Sequence, residues 1–378
     1  MTNSLRAQLR NATLDDALSI TEFLVELGLS MPKGKDNILL HWEELWRNNP
    51  ALKHHGNTPE LGWVLEDADK LVGFFGNIPQ VSYFHGTPVR VSSARAWAVH
   101  KAYRNQTDQL CKAFFNQRSA DVVLISSANA PAGKRCLEFG ASAIPQPDYE
   151  KILFWVLNAS AFLRAGLRKK GYGGLTANFF GILGAVALNA RMRLGGQRPF
   201  SIINGITIKT INDIDLSFDQ LWLKKIKELP DQFLSCRNAE TLRWYFKLSS
   251  SSAQTRIICH KTKSELNGYA VVVREDVPNI GLKRLKIADI FVSKNDPAII
   301  DALLTAAYEY GLAKRCDVLE IIGLDKTLRS QVLKHKPFSR SMVVFPFYYK
   351  ALRQDLQKPL NSENSWSATA YDGDTALL

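Results

Sequence analysis

Residues 92–141, SSARAWAVHKAYRNQTDQLCKAFFNQRSADVVLISSANAPAGKRCLEFGA, hold the part of this chain best suited to chemistry. An apolar run at 94–99 ends in a polar turn at 101–107, and an amphipathic helix with Leu110, Phe114 and Phe115 on one side follows. A second apolar run, 122–125, breaks at Ser126, Ser127 and Asn129; Pro131 suits the first turn of a helix that Gly140 stops. A strand that delivers the chain into a turn at a helix N-terminus leaves backbone N–H groups free to hold an anion such as a pyrophosphate. His100 opens that turn. Its type makes it a candidate general base, and its place after an apolar strand equally suits a structural histidine. There is no Gly-x-Ser-x-Gly elbow, Walker loop, His-Glu-x-x-His or paired-cysteine spacing, so those chemistries find no support and no metal is expected.

The elements that must position this stretch can be read in order. Residues 6–10 read as a strand, and Thr13 caps a helix with Ala17, Ile20, Phe23, Leu24 and Leu27 inward. A second helix contains His41, Trp42 and Trp46. Strands at 62–66, 71–78, 81–84 and 89–91 form an antiparallel meander leading into 94–99, and the apolar end of 144–156 closes the first domain.

The chain has 378 residues, 46% hydrophobic, and a formal net charge of +12, enough to bury the cores of two domains. Cys111, Cys136, Cys236, Cys259 and Cys316 are odd in number and scattered, which argues against a disulfide framework or a zinc ribbon. The first residues lack an apolar signal-peptide core, so a reducing, cytoplasmic location is expected. Nucleic acid is not expected as a partner, because the positive charge is concentrated around an apolar segment and no nucleic-acid module is evident.

That segment is unusual. Residues 151–212 contain no Asp or Glu, while Lys151, Arg164, Arg168, Lys169, Lys170, Arg191, Arg193, Arg198 and Lys209 are basic. Between Lys170 and Arg191 lie twenty uncharged residues, five of them glycine, which make a poor bilayer span. Peripheral contact with an anionic membrane through 160–200 is one reading, and a linker helix buried between domains is the other.

After residue 201 the order of elements repeats: helices at 218–229 and 238–247, strands at 256–259, 269–273 and 285–292, a helix begun by Asp296 and Pro297 and stopped at Gly311, a strand at 318–324, a helix at 326–334 and a strand at 342–349. The expected boundaries are 1–158 for a first domain, 159–200 for a basic, apolar linker, 201–352 for a second domain and 353–378 for a tail.

Val99-His-Lys-Ala-Tyr103-Arg104-Asn-Gln-Thr107-Asp-Gln109 resembles the coenzyme A motif of the GNAT N-acyltransferase superfamily, and Asn129-x-x-Ala132-x-x-x-Cys136-x-x-x-Gly140 resembles its next motif. Thr107 and Gln109 stand where the family has glycines, and Cys136 where it often has the tyrosine that protonates the leaving thiolate. The resemblance implies an α/β (α+β) fold of two tandem GNAT-like domains, each a mixed, mostly antiparallel sheet flanked by helices. It implies acyl transfer from acetyl-CoA or another acyl-CoA. Backbone at Trp97, Ala98 and Val99 would polarise the thioester carbonyl. Arg104, Asn105, Gln106, Thr107, Asp108 and Gln109 would hold the pyrophosphate. Asn129 would contact the pantetheine, or simply cap its helix. Cys136 would protonate the thiolate, or simply pack. Asp372, Asp374 and Asp289 are candidate bases or acceptor-orienting groups, or surface aspartates.

The repeat and the ending Trp366…Asp372-Gly373-Asp374 are similar to tandem GNAT-like proteins of polysaccharide and cell-envelope biosynthesis, and distantly to Fem-type aminoacyltransferases. They imply a sugar or lipid-linked acceptor. The alternatives are a non-catalytic binding or assembly protein, and a Fem-like enzyme that takes its donor from aminoacyl-tRNA.

Overall fold

The computed structural model describes residues 6–55, 59–202, 204–248, 252–341 and 346–374. In chain order the elements of the first half are β1 (Gln8–Asn11), α1 (Ala17–Glu26), α2 (Lys35–Trp46), β2 (Gly62–Asp67), β3 (Lys70–Phe84), β4 (Thr87–Val99), α3 (Thr107–Phe115), β5 (Val122–Ile125), α4 (Ala130–Glu138), β6 (Ser142–Ala143) and β7 (Lys151–Val156). A helical hairpin, α5 (Ala159–Lys169) and α6 (Gly174–Gly195), follows. The second half comprises β8 (Ile206–Lys209), α7 (Leu216–Glu228), β9 (Leu234–Ser235), α8 (Ala239–Leu248), β10 (Thr255–Thr262), β11 (Glu265–Arg274), β12 (Arg284–Val292), α9 (Pro297–Ala313), β13 (Val318–Ile321), α10 (Lys326–Leu333), β14 (Phe338–Ser341), β15 (Tyr348–Ala351) and α11 (Gln354–Leu360).

The first sheet has the order β1-β2-β3-β4-β5-β15-β6, with β9 added to β3; the second has the order β14-β7-β13-β12-β11-β10-β8. Position by position they match: β8, β10, β11, β12 and β13 repeat β1 to β5. In each sheet the fourth and fifth strands, β4 with β5 and β12 with β13, are parallel. The chain is thus mixed α/β, with two mixed sheets flanked by helices.

The next position is exchanged between the halves. β7, expected to close the first sheet, pairs with β13 and β14 in the second, while β15 inserts between β5 and β6 in the first. An apolar run specifies a strand but not the edge it joins. Of the strand expected at 342–349, residues 342–345 lie outside the described residues.

Two further differences concern turns and breaks. The separate runs 71–78 and 81–84 are one strand, β3, which continues through Pro79; Pro79 lies opposite Ser92 and its carbonyl accepts from Asn49 Nδ2 at 2.8 Å. Gly311 does not stop α9. Helix α9 runs to Ala313, and a Cβ on Gly311 would stand 2.7 Å from Leu157 Cδ1, so this glycine serves close packing.

The core is arranged in layers around the sheets. Helices α3 and α4 cover one face of the first sheet with Leu110, Phe114, Phe115 and Cys136. One apolar cluster, including Trp42, Phe74, Phe218, Tyr245, Tyr269 and Tyr371, runs from α1 and α2 on the first sheet to α7 and α8 on the second. Tyr371 belongs to the terminal stretch, which is mostly buried from Ser365 to Asp374. The stretch docks because Trp366 and Ala368 join the core and the Trp366 indole donates to the Leu360 carbonyl at 2.8 Å.

Candidate active site

Strands β4 and β5 hydrogen-bond only between Val91–Ser93 and Val122–Leu124. Beyond that β5 ends at Ile125, while β4 runs on to Val99, so the two diverge and leave one edge of β4 without a strand partner among the described residues. At the divergence β4 carries a bulge. Phe74 pairs with Ala98 and Gly76 with Arg95, so the register slips between them, and Ala96 has φ +53°. Alanine has no preference for that conformation, so the bulge is held by its surroundings. Gly76 makes room for it, because a Cβ there would stand 2.6 Å from the Arg95 carbonyl oxygen. Trp97 fixes the other side by stacking on Phe75, with ring centroids 4.8 Å apart.

The terminal stretch enters the base of this opening. Ser126, just past β5, donates its hydroxyl to Asp374 Oδ1 at 2.6 Å and accepts from the Asp374 N–H at 2.9 Å. Ser127 donates to Oδ2 at 3.1 Å, and Arg95 Nη1 stands 4.0 Å from the same oxygen. The Gly373 carbonyl accepts from Tyr245 Oη at 3.0 Å and Gln80 Nε2 at 3.2 Å. Gly373 has φ +82°, and a Cβ there would lie 2.4 Å from Ser126 Oγ, so Asp-Gly-Asp is the pattern that lets the carboxylate approach β5. Asp374 is 1% exposed.

The other candidates are placed elsewhere. Asp372 and Asp289 both bind the buried Arg237 guanidinium, Asp289 by two bonds of 3.0 and 3.2 Å and Asp372 at 3.0 Å, with Thr369 bridging them. They anchor the terminal stretch to β12 and do not line the β4/β5 opening. Cys136 is fully buried among the residues of α3 and α4, and burial pushes its thiol up to about 12. That position is one of core packing between α3 and the first sheet. The Tyr348 hydroxyl of β15 reaches α4, 2.6 Å from where a Cβ on Gly133 would stand. Asn129 caps α4, accepting from the Ala132 N–H at 3.0 Å.

The polar turn is a 3-10 helix, Lys101–Gln106, that runs directly into α3. His100 is exposed and accepts from the Ala102 N–H through Nδ1 at 3.4 Å. Arg104 and Asn105 are exposed. Gln106 accepts from the Ala7 N–H at 3.0 Å and from Gln109 Nε2 at 3.2 Å, and Asp108 pairs with Arg135 of α4 at 3.3 Å. With Thr107 and Gln109 in place of glycines, the backbone turns helically here rather than forming an open loop.

His41 of α2 is a half-buried histidine beside Arg95. Its Nε2 is buried without a hydrogen-bond partner among the described residues. Burial, reinforced by the Arg95 charge, lowers its pKa to about 4. The imidazole is therefore neutral at pH 7. Because the folded pKa lies below the ordinary value of 6.5, the unfolded chain takes up the proton first. Stability is full above pH 6.5 and falls as pH drops toward 4, by about 3 kcal/mol at pH 4. Urea denaturation at pH 7 and pH 5 should show this loss, and His41→Phe should remove most of it; an unchanged pH dependence in the variant would assign the acid sensitivity to other groups.

No family model and no curated protein sequence matches the chain. Its fold does match solved structures. A GCN5-related N-acetyltransferase from Anabaena variabilis aligns with a TM-score of 0.57 at 10% identity, over 92% of this chain and 73% of that one. A GCN5-related N-acetyltransferase from Kribbella flavida aligns at 0.55 with 10% identity, over 93% and 72%. The N-myristoyltransferase of Saccharomyces cerevisiae, solved with bound myristoyl-CoA, aligns at 0.53 with 13% identity, over 92% and 83%. The chain has the fold of the GNAT superfamily.

Proposed function

We propose that this GNAT-fold chain is an acyltransferase that takes an acyl group from acyl-CoA at the β4/β5 opening and passes it to an amine or hydroxyl, with Asp374 receiving the acceptor's proton. The observation that carries this reading is the placement of Asp374. A buried carboxylate from the far end of the chain stands at the point where the parallel strands part. The acceptor nitrogen or oxygen attacks the thioester carbonyl, its proton passes to Asp374, the carbon–sulfur bond breaks, and the thiolate leaves as a thiol after taking up a proton. Backbone N–H groups around the Ala96 bulge, on the edge of β4 that has no strand partner among the described residues, are the donors we assign to the developing oxyanion. The first turn of α3 with Arg104 would take the pyrophosphate.

The acceptor we assign is a sugar or lipid-linked envelope precursor met at the inner face of the membrane. The Trp366…Asp374 ending and the basic, apolar segment 159–200 support this. A second reading, a non-catalytic binding protein, is favoured by one observation: a 3-10 helix replaces the glycine loop at 101–106.

Calorimetric titration with acetyl-CoA and with a long-chain acyl-CoA separates the two. Donor binding weakened about tenfold by Arg104→Ala is expected, since the variant removes a charge-assisted phosphate contact. Absence of binding to either donor would leave the non-catalytic reading and the aminoacyl-tRNA donor in place.

A further inference from the structure

Helix α6 of the hairpin is apolar on two opposite sides. One side, with Ala177, Gly181 and Ala185, is buried. It packs closely on α5, because a Cβ on Gly181 would lie 2.4 Å from Arg164 Cγ and one on Gly184 3.0 Å from Leu163 Cδ1. The hairpin in turn sits on Phe154, Val156 and Val318 of the second sheet. The other side faces away from the protein. Leu175, Phe179, Ile182, Leu183 and Val186 recur at helical spacing and are between 55% and 89% exposed. Isolated exposed apolar side chains are ordinary on a protein surface, but a contiguous stripe along a 22-residue helix is not.

Charge indicates what covers the stripe. Both of its ends are cationic: Arg168, Lys169 and Lys170 precede α6, and Arg191, Arg193 and Arg198 lie at or beyond its C-terminal end, all exposed. No carboxylate occurs anywhere from residue 151 to residue 212 to oppose them. By length and composition α6 could cross a membrane, yet its inner side is committed to α5. A helix held along the protein surface, apolar outward and cationic at both ends, fits the interfacial layer of an anionic bilayer, where the apolar stripe enters the acyl boundary and the long cations reach the headgroups.

We infer that the α5–α6 hairpin is a membrane-docking element that lays the outer stripe of α6 into the surface of an anionic bilayer. The inference does not depend on the donor chemistry, because the hairpin packs on the second sheet and its outward stripe shares no residue with the β4/β5 opening.

The test is flotation of the full chain with phosphatidylcholine vesicles and with vesicles containing phosphatidylserine. The protein should float with the anionic vesicles and release at high salt. Phe179→Asp combined with Leu183→Asp and Val186→Asp should weaken flotation by about tenfold or more. Lys169→Glu with Lys170→Glu, which touches no core residue, should do so by at least about 25-fold, since each of the two lost cations near an anionic surface contributes roughly fivefold. Melting temperature and donor binding should stay at their original values in both variants. Failure of the unmodified chain to float with anionic vesicles would overturn the inference. So would flotation indifferent to the face substitutions, or sedimentation showing a dimer that dissociates when the stripe is charged, which would assign the face to a second copy.

Discussion

Asp374→Asn should lower turnover by about 10²- to 10⁴-fold, the usual contribution of a positioned general base, while donor affinity and melting temperature hold. Asparagine keeps the shape of the side chain. Its Oδ1 can accept from Ser126 as the carboxylate does at 2.6 Å, and the backbone N–H of residue 374 still donates to Ser126 Oγ. What is lost is the ability to take a proton. The outcome therefore separates a chemical role from an anchoring one. If Asp374 only pins the terminal stretch, asparagine should cost little turnover and Ser126→Ala should cost more, because alanine removes a partner from both the carboxylate and the backbone. If Asp374 is the base, the order is reversed. Steady-state kinetics at saturating acyl-CoA, with donor affinity measured by calorimetry, reads the difference. Activity in the asparagine variant equal to that of the original chain would sink the assignment of the base.

The second large effect concerns stability. Arg237 is 2% exposed; it meets Asp289 and Asp372, donates to the Ser235 carbonyl at 2.9 Å, and lies 4.6 Å from the centre of the Tyr371 ring. Two carboxylates are thus buried against one guanidinium, and the opposite charges hold Arg237 protonated despite the cost of desolvation. Arg237→Met fills much of the volume but leaves Asp289 and Asp372 facing each other without the cation. The expected loss is about 3–5 kcal/mol in urea unfolding, the range for removing one partner of a buried ion pair.

Asp289→Asn added to Arg237→Met should recover part of the loss, because it removes one of the stranded charges; the two effects should not add. Arg237→Met should also lower turnover. Asp372 is two residues from Asp374, so releasing it loosens the carboxylate at the opening while the donor site on α3 is untouched. A variant as stable as the original would mean that the cluster is solvated well enough to tolerate stranded charges.

The most legible parts of this protein were local. Helical spacing of apolar residues placed α1 and α3, and caps marked helix starts where the structure has them: Asn129 before α4 and Asp296 with Pro297 before α9. The repeat of elements was visible because each half carries the same succession of helices and strands, and two matching sheet orders follow from it. These features depend on neighbours within a few residues, whose types state a preference directly.

What only the tertiary structure decided depends on partners far along the chain. The exchange of β7 and β15 between the sheets leaves no mark on either apolar run, since strand pairing is satisfied by backbone groups common to all residues. The bulge at Ala96 is a left-handed conformation on an alanine, a residue with no tendency toward it, so its cause lies in Gly76 across the ribbon. Asp372 and Asp374 are the same residue type two positions apart, and nothing local distinguishes them. Contact with Arg237 makes one an anchor, and contact with Ser126, 248 residues away, makes the other the carboxylate of the opening. Sequence chemistry nominates the groups; the packing of distant segments decides which of them meets the site.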